Sequence, residues 1–201
     1  MSSGSFMRNI EIRNTQPNDK TTLADVLKRA FAKDPVMRWI LPATDDYERI
    51  SYPFFTLILG QTLASGISYT TDEQLGVSLW EKPDHSPSML SQLLSFARFS
   101  WLFRGNVSRA VNLQNMMASY RPGKPFWHLT YIATDPDHQG KGIGTNLLQP
   151  IRDQATQDDY PIYLECSNRD NLAFYRRHGF RLVDELRSPT GPTIWPMIME
   201  T

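Results

Sequence analysis

The residues with the clearest capacity for chemistry lie in two short stretches of the second half of the chain. The first, "DHQGKGIGT", places Gly140, Gly142 and Gly144 within five residues, with Lys141 and Ile143 between them. It follows a segment of strand character, "PFWHLTYIAT", and opens a helical stretch running to about Gln157. Glycines there let the N–H groups from Gly140 to Thr145 approach an anion at a helix start, where the dipole favours negative charge. Lys141 adds charge to that site or is an ordinary surface lysine, and both readings stay open. The second stretch, "NRDNLAFYRRHGF", sets Asn168 and Tyr175 seven residues apart. On an α-helix that is nearly two turns, so they share a face, and Asn171 lies close to it. Gly179 stops this helix in the manner of a C-cap.

Spacing narrows the anion. No pair of glycines meets the G-x-x-x-x-G-K-[S/T] pattern of a P-loop. A dinucleotide fingerprint, G-x-G-x-x-G, requires glycine where Thr145 or Leu147 stands. What does fit is Q-x-x-G-x-G, at Gln139, Gly142 and Gly144. This resembles the acetyl-CoA signature of the GCN5-related N-acetyltransferase (GNAT) family. The second stretch resembles that family's other block, in which an asparagine starts a helix, a tyrosine follows seven residues on, and Gly-Phe closes, here Gly179-Phe180. The segments "AFAKDPVMRWILP", "GVSLWEKP" and "GPTIWPMIME" look like the branch that contains puromycin N-acetyltransferase.

The resemblance implies an acetyl-CoA-dependent transfer to a primary amine, of a small molecule, by direct attack without a covalent enzyme intermediate. A protein or peptide acetyltransferase and a non-catalytic acyl-CoA-binding module are the alternatives. Acetyl-CoA is then the cosubstrate and no metal is expected. The pyrophosphate would lie on Gln139, Gly140, Lys141, Gly142, Ile143, Gly144 and Thr145. The pantetheine arm would pair with the backbone of Ile132, Ala133 and Thr134 between splayed strands, with Asn168 and Asn171 nearby. Tyr175 would protonate the departing thiolate, which a phenol can do while staying neutral near pH 7. The amine must also lose a proton, and Glu165 is the first candidate base, with Glu81 and His128 weaker ones. Packing is the commoner role for a histidine such as His128. Cys166 has no histidine–acid partner evident in the sequence and reads as a buried thiol.

The elements that must position these groups follow from periodicity. A strand is expected over 9–15, then a helix with apolar Leu23, Val26, Leu27, Ala30 and Phe31 that Pro35 ends. "DYERISYPFFTLILGQTLAS" reads as a second helix despite Pro53, and "ISYTTDEQLGVSLWEKP" as two strands around Asp72-Glu73. Two helices follow, "SMLSQLLSFARFSWLFRG" and "VSRAVNLQNMMASYRP", parted at Gly105. Their Phe99, Trp101, Phe103, Met116 and Met117 are core or the wall of an acceptor pocket. Strand 161–166, helix 168–178, strand "FRLVDEL" and a last strand "IWPMIME" complete the chain. The order implies a mixed α/β fold, a central mixed sheet of about six to seven strands with helices on both faces. It is expected as one domain over 9–201 behind a flexible leader at 1–8.

The 201 residues are 40% hydrophobic and 21% charged, with 21 basic and 21 acidic side chains. Neutral balance disfavours nucleic acid or an anionic membrane as the main partner. One cysteine excludes a disulfide framework and suits a reducing, cytoplasmic compartment. His85, His128, His138 and His178 make no recognisable metal spacing. A homodimer through the last strand stays open.

Overall fold

The computed structural model describes residues 10–83, 89–103, 107–188 and 190–201. The expected leader, His85, Pro87 and Gly105 lie outside them. The first half holds β1 (Ile12–Asn14), α1 (Lys20–Ala30), α2 (Pro35–Ile40), α3 (Thr44–Ser65), β2 (Ile67–Thr71), β3 (Gly76–Glu81), α4 (Met89–Phe103) and α5 (Val107–Ala118). The second half holds β4 (Trp127–Thr134), α6 (Ile143–Asp158), β5 (Ile162–Cys166), α7 (Leu172–Arg177), β6 (Arg181–Leu182), β7 (Leu186–Arg187) and β8 (Thr193–Met199).

The strands form one sheet in the order β1-β2-β3-β4-β5-β8-β6, with β7 also on β8. Among the described residues only β4 and β5 run parallel, joined by the α6 crossover. Helices α1 and α3 cover one face, where Leu23, Leu27, Phe55 and Leu59 meet Val77 and Leu79. Helices α6 and α7 cover the other, where Leu148, Ile151 and Leu172 meet Trp80, Leu129, Ile162 and Leu164. Each such leucine or isoleucine stabilises the fold by roughly 1.5–3 kcal/mol through removal of apolar surface from water. The two cores hold the middle strands between helices, and the site lies where those strands part.

Three elements depart from the periodicity. Pro35 does more than end a helix: it stands at the first position of α2, whose cap Asp34 accepts from the N–H groups of Val36 and Met37, both at 3.0 Å. Proline suits that position because its missing N–H would have no helical partner anyway. The expected strand "FRLVDEL" is two short pieces. Val183 N–H donates to Pro196 O at 2.8 Å, but Pro196 has no N–H to return, and the ladder with β8 breaks there. The helix expected from 168 begins instead as a 3-10 turn, Arg169–Asn171, and is α-helical only from Leu172.

Candidate active site

The site starts as a gap in the sheet. Strands β4 and β5 pair only at Trp127–Ile162, His128–Tyr163 and Leu129–Leu164, although β4 continues to Thr134 and β5 to Cys166. At the same level β4 carries one extra residue. Its partners on β3 step from Leu79–Tyr131 to Trp80–Leu129, so Thr130 bulges, its hydroxyl donating to Leu79 O at 2.9 Å. Such a bulge bends the strand and ends regular pairing. Beyond it, Asp135 N–H donates to Leu75 O at 2.8 Å. Alternation along an antiparallel pair then turns Tyr131 and Ala133 peptide groups toward β3 and leaves those of Ile132 and Thr134 facing the gap.

The glycine loop sits at the open end of that gap. Gly140 (φ +74°) and Gly142 (φ +85°) take left-handed conformations that side chains disfavour. Gly142 caps α6, whose first bond runs from Asn146 N–H to Gly142 O at 3.1 Å. The N–H groups of Ile143, Gly144 and Thr145 are therefore the unsatisfied donors of a helix start. Gly144 has a packing reason as well: a Cβ there would lie 3.2 Å from Phe174 Cζ, so its smallness lets α7 pack closely on α6. Gln139 Nε2 donates to Thr134 O at 3.4 Å, and Lys141 Nζ to Asp137 O at 3.3 Å. Thr145 Oγ1 meets His178 Nε2 at 3.0 Å. From α1, Arg29 grips Asp135 at 2.5 Å and Asp137 at 2.6 Å, fixing the approach to the loop. Sequence reasoning missed Arg29, which lies 106 residues from Asp135.

Past β5, Asn168 Oδ1 accepts from Asp170 N–H at 3.0 Å, so this carbonyl caps the 3-10 turn. That turn changes the phase between Asn168 and Tyr175 expected of a continuous α-helix. Asn171 and Tyr175, rather than Asn168, border a cavity of about 610 Å³ that opens from the gap. Tyr175 is 7% exposed, and burial raises its pKa above that of an ordinary phenol, so it holds its proton. Cys166 is buried, its Sγ donating to Asn168 O at 3.0 Å, and burial pushes its pKa up to about 11. It is an inert thiol.

The cavity's polar floor is assembled across three strands. His128 Nδ1 donates to Glu81 Oε2 at 3.0 Å and Nε2 to Glu165 Oε2 at 2.7 Å. Both ring nitrogens donate only in the imidazolium. Burial opposes that charge, but the hydrogen bonds to Glu165 and then Glu81 hold the pKa up at about 9. His128, expected to pack, thus joins two of the candidate bases. Glu165 Oε1 faces Arg121 Nε at 3.7 Å, and neither atom has a hydrogen-bond partner among the described residues. At another wall, Ser167 Oγ donates to Asp34 Oδ2 at 2.5 Å. Burial raises the Asp34 pKa against the hydrogen bonds from Ser167, Met37 and Val36. Neither Asp34, Ser167 nor Arg121 was marked by a local motif. Phe31, Phe54, Phe99, Phe103 and Tyr131 form the apolar walls. Of the helical residues expected there, Met117 joins the lining too; Met116 packs against the core, and Trp101 stays 73% exposed.

A splayed parallel pair, a left-handed glycine loop and a buried tyrosine define an acyltransferase scaffold. The family model described as "Acetyltransferase (GNAT) family" matches residues 75–180, and the chain belongs to that family. The mixed α/β sheet is its fold, and the protein is an N-acetyltransferase of this class. An uncharacterised N-acetyltransferase of Schizosaccharomyces pombe is 25% identical over 180 residues, 84% of this chain and 73% of that protein. A solved structure from Corynebacterium glutamicum, described as histone acetyltransferase HPA2 and related acetyltransferase, has a TM-score of 0.70 at 24% identity. The match covers 96% of this chain and 97% of that one. Arylalkylamine N-acetyltransferase 2 of Aedes aegypti has a TM-score of 0.65 at 13% identity, covering 96% and 99%. These likenesses carry the fold.

Proposed function

We propose that the protein transfers an acetyl group from acetyl-CoA to the primary amine of a small apolar or aromatic molecule, by direct attack. The observation that carries this reading is the cavity itself: it runs from the β4–β5 gap, past Tyr175 and Glu165, into walls of phenylalanine. The left-handed glycines and free N–H groups at the start of α6 suit a pyrophosphate. Bound there, acetyl-CoA supplies an activated acyl group.

The protein's own groups divide the remaining work. Residues 140–145 hold the anion through backbone N–H groups, and Arg29 keeps their approach rigid through Asp135 and Asp137. Peptide groups of Ile132 and Thr134 orient the extended arm in the gap, with Ala133 between them and Asn171 at the rim, on the turn that Asn168 caps. An N–H of this segment polarises the acyl carbonyl. Glu165 takes the proton from the attacking amine, and the His128–Glu81 pair behind it spreads the charge. Tyr175 delivers its phenolic proton to the departing sulfur.

The outer segments support a place in the puromycin N-acetyltransferase branch, and the arylalkylamine enzyme's name agrees with aromatic walls. A single buried cysteine suits a cytoplasmic setting. An amine panel with thiol release as readout tests the reading. Turnover of aromatic amines above polyamines and peptides is expected. A preference for peptides would overturn the small-molecule acceptor. Stabilisation by acetyl-CoA without thiol release from any amine would leave a binding module instead.

A further inference from the structure

Helix α4 carries large apolar residues on two opposite sides, which an ordinary surface helix does not. One side, with Phe99 and Phe103, packs toward Phe54 of α3 and lines the acceptor cavity. The opposite side carries Met89, Leu93, Leu94 and Trp101, exposed by 88%, 64%, 50% and 73%. Winding at about 100° per residue spreads these four over less than half the circumference, with Arg98 at one edge and Phe96 at the other. The sequence around them is one-sided in charge. Between Asp84 and Asp135 there is no acidic residue, while Arg98, Arg104, Arg109, Arg121 and Lys124 all fall there. Neutrality of the chain as a whole conceals this segregation. Arg109 and Lys124 are held by Trp39 O and Glu200, and Arg121 faces Glu165. Arg98 is exposed beside the apolar stripe.

We propose that this face of α4 docks on an anionic lipid bilayer, lying in the interface rather than crossing it. The composition fits: tryptophan, phenylalanine and leucine enter the headgroup boundary, and arginine reaches lipid phosphates from the rim. No helix among the described residues is long and apolar enough to cross a membrane. A second copy is the poorer occupant. A two-fold contact would bring a stripe free of acidic side chains against itself, with no counter-ion for Arg98. One four-turn helix also offers less than the roughly 1,200 Å² of a stable protein interface. The cavity that α4 lines would then open close to the lipid.

Co-sedimentation with phosphatidylcholine vesicles, with and without phosphatidylglycerol, tests this directly. Binding should be about tenfold stronger with phosphatidylglycerol and weaken as salt rises. Tryptophan emission should shift blue on binding, and Trp101→Phe should lose most of that shift while still binding. The pair Leu93→Glu with Trp101→Glu should lower binding at least about tenfold, with melting temperature and turnover of a soluble amine retained. Neither residue lines the cavity. Absence of binding to phosphatidylglycerol vesicles, or unchanged binding by the double variant, overturns the proposal. So does a dimer in light scattering that the double variant reduces to monomer, since the face would then belong to a second copy.

Discussion

The two ends of the proposed reaction groove are built from different material. The donor end is backbone: two left-handed glycines, three N–H groups of a helix start, and the peptide edge of Ile132 and Thr134, all within residues 132–145. The acceptor end is side chain: Asp34, Glu81, His128, Glu165 and Arg121, drawn from both halves of the chain. A backbone site depends on φ angles and little on ionisation. A side-chain site depends on which carboxylates and imidazoles carry charge. Variants should therefore separate along this line, the donor end failing in affinity and the acceptor end in turnover and pH response.

The largest effect is expected at the acceptor end. Glu165→Gln should lower kcat by about 10²–10⁴ while leaving the KM for acetyl-CoA within about twofold, read by steady-state kinetics. Retained turnover would remove Glu165 from the proton path. Tyr175→Phe keeps the ring packed and deletes the proton, so kcat should fall by about 10². If only the KM moved, the hydroxyl would be a binding group. At the donor end, Gly142→Val forces a branched side chain to φ +85°, a strain of about 1–2 kcal/mol. Its mark should be an acetyl-CoA KM raised about tenfold with the amine KM unchanged. A matching loss for the amine would blur the division between the ends.

The pH response sharpens the contrast further. His128 titrates at about 9 when folded, above its ordinary 6.5. A raised pKa contributes stability that is full below the unfolded value and is lost as pH rises through the folded one. The melting temperature of the wild type should thus exceed that of His128→Gln most near pH 6. The excess should shrink toward about pH 10; a constant difference would contradict the imidazolium. The smallest change is expected from Gly144→Ala. Crowding against Phe174 should cost about 1 kcal/mol, or about 2–4 °C of melting temperature, with acetyl-CoA affinity nearly intact. A large affinity loss would return Gly144 to the anion site.

The conformation of the glycine loop was legible because its physics is local. Glycine spacing after a strand and before a helix reports the φ angles directly, and Gly140 and Gly142 adopt them. The second reason for Gly144, its contact with Phe174, was hidden because it comes from another helix. At the acceptor floor the sequence offered Glu165, Glu81 and His128 as separate candidate bases but not their contact, since Glu81 and Glu165 stand 47 and 37 residues from His128. Only the sheet brings them level: Glu81 and His128 are register partners across β3 and β4. Helix α2 was hidden by its brevity, although Asp34-Pro35 is a fair start signal. The split of β6 from β7 depended on Pro196 standing opposite.

The Thr130 bulge is also a change of phase. Strict alternation would send His128 and Tyr131, three residues apart, to opposite faces of the sheet. The one extra residue lets both line the cavity, while Leu129 and Ile132 share the core beneath α6 and α7. Loss of a single codon there would act like a frameshift written in space. Every side chain from Tyr131 to Thr134 would change faces, and a cavity wall would become a core. A family with such a hinge in its central strand can exchange whole surfaces by an insertion or deletion of one residue, a step that point substitution does not offer.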